Sequence, residues 1–152
     1  MVTLRSRVSL LLGIGTLAAT ASAQVVNDEC VNAIGVSSGF NGPFSSIGAT
    51  TSVPAWPCAT GGNDVWFSCV AIQNGTLSVD MCGQASWDTA LEILTGACGA
   101  LTSLGCNDDS CATQSRLTGI AVTAGSTYYI RVGGWQGATG RSEEHTSELQ
   151  SP

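Results

Sequence analysis

The chain has 152 residues, 43% hydrophobic and only 11% charged, with a formal net charge of −6. Its five basic residues are all arginines, and its one histidine is His145. An acidic chain without lysine has no clustered cations for a phosphate backbone, which excludes a nucleic-acid partner. It also excludes Schiff-base chemistry on a lysine.

Residues 1–23 predict a secretory signal peptide. Arg5 and Arg7 precede an apolar run over Val8–Ala18, and Ala21-Ser22-Ala23 forms a small-residue cleavage site before Gln24. The run is shorter than the roughly 20 residues needed to span a bilayer, so a secreted or cell-surface protein with no membrane span is expected. Asn27–Ile34 predicts a single capped turn, and Phe44–Thr50 a weak strand. Asp64–Ala71, rich in aromatic and β-branched residues, reads as a strand. Asn74-Gly75 then gives a hairpin signal, and Thr76–Met81 alternates polar and apolar residues. A two-residue turn there sets Val70 opposite Val79 and Ile72 opposite Leu77. Asn74-Gly75-Thr76 is also a glycosylation sequon, which the turn already explains. Further strands are predicted at Leu91–Leu94, Arg116–Val122 and Thr127–Val132, the last after a turn at Ala124-Gly125-Ser126. No stretch keeps an apolar period of 3.6. The expectation is one all-β domain over residues 24–140, an antiparallel β-sandwich.

All seven cysteines, Cys30, Cys58, Cys69, Cys82, Cys98, Cys106 and Cys111, lie in this core. Behind a signal peptide they read as disulfides. Zinc would want Cys-x-x-Cys pairs or histidines, and the core has neither. Spacing alone leaves the connectivity open. It favours Cys98–Cys106 across a short segment, Cys82–Cys111, and Cys30–Cys58, with Cys69 left over inside an apolar strand.

Two sets of residues are candidates for binding. Asp88 opens one strand and Asn107-Asp108-Asp109 follows the next, so adjacent strands would gather them at one end of the sandwich. Carboxylate and amide oxygens suit calcium, Ca²⁺. The competing reading is a solvated loop in which these residues satisfy turn geometry. A carboxylate pair for glycoside hydrolysis is the weaker use of the same residues. Trp56 and Trp135 lie in loops and could stack on sugar rings, whereas Trp66 sits in a core strand. The core 24–140 has no His or Lys to activate a serine or cysteine, and no Gly-x-Ser-x-Gly elbow, so no active site is read.

Four motifs occur in order: Asp64-Val65-Trp66-Phe67-Ser68, Trp87 to Gly96, Cys106-Asn107-Asp108-Asp109, and Thr127 to Trp135 followed by Gly137-Ala138-Thr139-Gly140. In this order the chain resembles the bacterial pre-peptidase C-terminal domain, in particular the cysteine-rich version in secreted proteins of planctomycetes and related bacteria. The resemblance implies a jelly-roll-like sandwich without catalysis of its own, attached to a secreted protease or large surface protein. It also implies a final apolar strand after Gly140. Instead residues 141–152 resemble the translation of a common short-read sequencing adapter over eleven consecutive positions, Arg141 to Ser151. They are expected to be a non-native tail that packs against nothing, and the sandwich to lack its last strand and its attached domains. The function expected is a secreted, non-catalytic accessory module with a binding or spacer role. Its partner would be an extracellular protein or a polysaccharide, and Ca²⁺ is the only cofactor considered. A carbohydrate-binding module and a fragment of a secreted hydrolase are the alternatives.

Overall fold

The computed structural model describes residues 25–142. The expected leader, residues 1–23, and the tail beyond Ser142 lie outside this span. One 3₁₀ turn, Cys30–Asn32, stands where the capped turn is expected, followed by β1 (Ile34–Gly35), β2 (Gly61–Val70), β3 (Gly75–Asp80), β4 (Thr89–Ala97), β5 (Ala100–Asn107), β6 (Arg116–Val122) and β7 (Thr127–Trp135). The strands form a five-stranded sheet in the order β1-β2-β7-β4-β5 and a two-stranded sheet of β3 and β6. Every strand pair is antiparallel except β1–β2. The protein is an all-β sandwich, as its sequence pattern predicts.

The three central strands of the large sheet, β2, β7 and β4, are buried on both faces over their middle residues. Val65 and Phe67 of β2, Leu91 and Ile93 of β4, and Ile130 and Val132 of β7 point into the apolar core. Leu77 and Val79 of β3 and Leu117 and Ile120 of β6 pack onto that core from the small sheet. The alternate residues Trp66, Glu92 and Arg131 are also fully buried, because the irregular segment 25–60 covers the second face. That segment holds on through the backbone. Trp66 N–H donates to the Asn27 carbonyl at 2.8 Å and Asp64 N–H to the Thr50 carbonyl at 2.9 Å. With β1, these contacts close the outer edge of β2.

Four expectations need correction. First, β2 and β3 do not form a hairpin: Val70 pairs with Thr127, and Val79 with Leu117. Such a hairpin would put both apolar faces in one sheet with no layer to cover them, whereas separating the strands buries both. Asn74 still has a turn role. Its Oδ1 accepts from Ala124 N–H at 2.8 Å, and Gly125 N–H donates to the Ala71 carbonyl at 2.7 Å, so the two inter-sheet crossings brace each other. Second, Phe44–Thr50 is not a strand and makes only an isolated bridge, Ser45 with Arg141. Third, Cys98 lies in the β4–β5 turn and Cys106 near the far end of β5. The six strand residues 100–105 hold them roughly 20 Å apart, against the about 7 Å limit for a bridge. The bridges formed are Cys30–Cys98 and Cys58–Cys106, each with Cα atoms 5.7 Å apart. Cys82–Cys111 forms as expected and Cys69 is free. Fourth, packing does not stop at Gly140. Ser142 is buried, bridges to Ala85 and donates its N–H to the Phe44 carbonyl at 2.9 Å.

Peptide mapping of the oxidised protein is expected to recover Cys30–Cys98, Cys58–Cys106 and Cys82–Cys111 with one free thiol. A Cys30–Cys58 peptide would contradict the architecture. Replacing Cys58 and Cys106 together by serine should cost about 2–5 kcal/mol in denaturant unfolding.

Candidate functional site

The acidic end is built by strand register. Leu91 of β4 pairs with Asn107 of β5, so Asp88, just before β4, meets Asp108 and Asp109, just after β5. Carboxylate oxygens of these three residues lie within 4.8 Å of one another. Asp88 Oδ1 and Asp108 Oδ1 are shielded from solvent and have no hydrogen-bond partner. The backbone holds them there: the Asp88 carbonyl accepts from Trp135 N–H at 3.1 Å, and the Asp108 carbonyl from the Ser115 hydroxyl at 2.7 Å. Asn107 behaves differently from the expectation. Its Oδ1 accepts from Arg116 N–H at 2.9 Å, so its amide oxygen is committed to the start of β6.

No cation offsets this cluster among the described residues. The Arg116 guanidinium pairs with Asp80 at 2.8 Å instead, and Arg131 pairs with Glu92 and Asp64. Burial raises the Asp88 carboxyl above its ordinary range, and the charge of Asp109 adds to this. Asp108 is raised by burial, then by Asp109 and Asp88. Converging carboxylates with unpartnered buried oxygens fit a hard divalent cation that takes oxygen ligands. A second cluster, Asp80 with Cys82 and Cys111, does not fit a metal, because its two sulfurs are bonded to each other.

Trp56 is not a free loop aromatic. Its Nε1 donates to Asp64 Oδ2 at 3.2 Å, and the Arg131 guanidinium carbon lies 4.1 Å from its ring centroid. A Cβ at Gly61 or Gly133 would come within 2.7 and 2.8 Å of the ring, so glycine is needed at both positions for the close approach. Trp135, at the end of β7, is 36% exposed. Trp135 is thus a strand residue and not the expected loop residue, and of the two tryptophans considered for binding it is the one not stacked on Arg131.

Behind Trp56 lies a buried charged cluster that the sequence reading misses. Arg131 is fully enclosed. Its Nη2 donates to Glu92 Oε2, its Nη1 donates to the Pro54 carbonyl at 2.7 Å and stands 4.0 Å from Asp64 Oδ2, and its Nε has no partner. Asp64 accepts from the Ser52 hydroxyl at 2.5 Å and from the indole N–H of Trp56 and Trp66, each at 3.2 Å. Such a nearly saturated, solvent-free cluster locks the covering layer to the sheet and offers a substrate no access. The available signal is one charged residue within each apolar run: Glu92 between Leu91 and Ile93, and Arg131 between Ile130 and Val132. Compared with protein-family models, curated proteins and solved structures, the chain matches none.

Removing Arg131 would leave Asp64 and Glu92 buried and uncompensated. Arg131→Leu is expected to cost about 3–5 kcal/mol in chemical denaturation. A loss below about 1 kcal/mol, the scale of an exposed ion pair, would show that the cluster is not buried in solution.

Proposed function

We propose that this chain is a secreted, non-catalytic β-sandwich accessory module, jelly-roll-like and of the pre-peptidase C-terminal type, that holds a calcium ion between Asp88, Asp108 and Asp109. The observation that carries the calcium reading is the pair of buried, unpartnered oxygens, Asp88 Oδ1 and Asp108 Oδ1, within a cluster of three carboxylates. Bound calcium would supply the missing positive charge and tie the start of β4 to the end of β5, with water completing its coordination. Its role there is structural. The described residues include no His or Lys to act as a conventional base, which favours a binding or spacer role over hydrolysis. Three disulfides favour an oxidising, extracellular setting. No helix among the described residues is long and apolar enough to cross a membrane. The carbohydrate-binding alternative is weaker because Trp56 is already engaged.

The test is thermal melting with and without the ion. Extracellular sites of this kind bind in the millimolar range, so about 10 mM Ca²⁺ should add roughly 1.4 kcal/mol. That corresponds to a rise in Tm of roughly 4–8 °C. Asp108→Asn should abolish the rise, and an unchanged Tm in the folded parent would refute the site. Proton linkage gives a second check. Asp88 and Asp108 have raised carboxyls, so without calcium the native state binds protons more readily than the unfolded chain. Stability therefore falls as pH rises through the window between the ordinary and the raised aspartate values. Without calcium, Asp108→Asn should be more stable than the parent at neutral pH. That advantage should vanish once the pH drops below the ordinary aspartate range. Saturating calcium should reverse the order.

A further inference from the structure

The chain contains two Asn-Gly dipeptides, Asn41-Gly42 and Asn74-Gly75, and both are exposed. The fold treats their side-chain amides differently. Each oxygen accepts one backbone N–H: Asn74 Oδ1 from Ala124 at 2.8 Å, and Asn41 Oδ1 from Ser37 at 3.1 Å. The nitrogens are not alike. Asn41 Nδ2 donates to the Ser37 carbonyl at 2.6 Å and to the Gly39 carbonyl at 2.8 Å. Asn74 Nδ2 has no partner among the described residues. The following glycines differ too. A Cβ at Gly42 would come within 2.8 Å of the Phe40 ring, so the space beside that backbone is filled, whereas at Gly75 it would meet nothing within 4 Å.

We infer that Asn74 is a site of spontaneous deamidation in the folded protein and that Asn41 is not. Hydroxide removes the Gly75 amide proton, and the nitrogen attacks Asn74 Cγ. As that N–C bond forms, the Cγ–Nδ2 bond breaks. Ammonia leaves with a proton from water, which restores the hydroxide, and a succinimide remains. Water then opens either of the two ring C–N bonds and leaves aspartate or isoaspartate at position 74, with no redox change. Asparagine is among the heat-labile residues, and glycine lets the backbone reach the cyclising geometry. The Ala124 N–H favours the attack because it stabilises the charge that develops on Oδ1. At Asn41 the departing nitrogen must first break two hydrogen bonds, and Phe40 crowds the attacking residue. The product matters for the fold, since Asn74 braces the two crossings between the sheets. Either product adds one negative charge, and isoaspartate inserts a carbon into the main chain just before Gly75 pairs with Val122.

The test keeps the folded, oxidised protein in mildly alkaline buffer and follows each dipeptide by peptide mapping with isoaspartate detection. Asn74 should convert at least about fivefold faster than Asn41, the rate equivalent of the two additional hydrogen bonds. In the reduced chain unfolded in urea the two should convert at similar rates. Gly75→Ala should slow conversion at Asn74 at least about twofold, by restricting the backbone that must cyclise. Its Tm should stay nearly that of the parent, since the position is exposed and has open space. Absence of conversion at Asn74 in the folded protein would overturn the proposal. So would equal or faster conversion at Asn41 in the folded protein. A slow Asn41 in the unfolded chain would overturn it as well, since the discrimination would then come from local sequence and not from the fold.

Discussion

The rest of the architecture depends on burying the Arg131 guanidinium between two carboxylates. A sheet in a two-layer sandwich normally needs one apolar face. Here β2, β7 and β4 are buried on both sides, and on the second side Arg131 meets Glu92 from β4 and Asp64 from β2. One cation thus cross-links three adjacent strands. Its Nη1 also reaches the Pro54 carbonyl, and its flat face lies on Trp56, so the same group fastens segment 25–60 to the sheet. Truncating any member would strand a charge away from water, which makes the cluster far more sensitive than an exposed ion pair.

The acidic end is the opposite case built from the same residue types. Asp64 and Glu92 share a cation and several hydrogen-bond donors. Asp88, Asp108 and Asp109 share only each other, and raised carboxyls follow at Asp88 and Asp108. Carboxylates that serve only the fold are satisfied by the fold. The unsatisfied set is the one that keeps hydrogen-bonding capacity the fold does not use.

Strands whose apolar residues alternate, such as β3, or that carry aromatic and β-branched runs, such as β2 and β7, were readable from the chain. So was the meeting of Asp88 with Asp108 and Asp109, because it follows from adjacency of two strands. Partner choice was not readable. Asn74-Gly75 is a strong local hairpin signal, yet β2 takes β7 and β3 takes β6, since burial on two layers outweighs a local turn. β5 is implied only by the strand placed before Asn107 and has no bounds in the sequence, because Ala100–Asn107 has few β-branched residues. The missing bounds also mislead the disulfide pairing: without an extended β5, Cys98 and Cys106 look close. Arg131 was missed because one charge in an alternating strand reads as the solvent side, and the irregular layer that covers it has no periodic signal.

That layer explains where the covalent links fall. Segment 25–60 has one two-residue strand and a few isolated backbone contacts, so it lacks the cooperative ladder that orders the sheets. Its ordering entropy must be offset elsewhere. Two of the three disulfides, Cys30–Cys98 and Cys58–Cys106, anchor it to the β4–β5 hairpin, and they close the longest loops, with separations of 68 and 48 residues. By the chain-entropy relation each is worth about 4 kcal/mol. The covalent constraint is greatest where hydrogen bonding is thinnest. The Arg131 cluster can stay dry because this otherwise weakly held layer is bridged to the edge hairpin of the sheet beneath it.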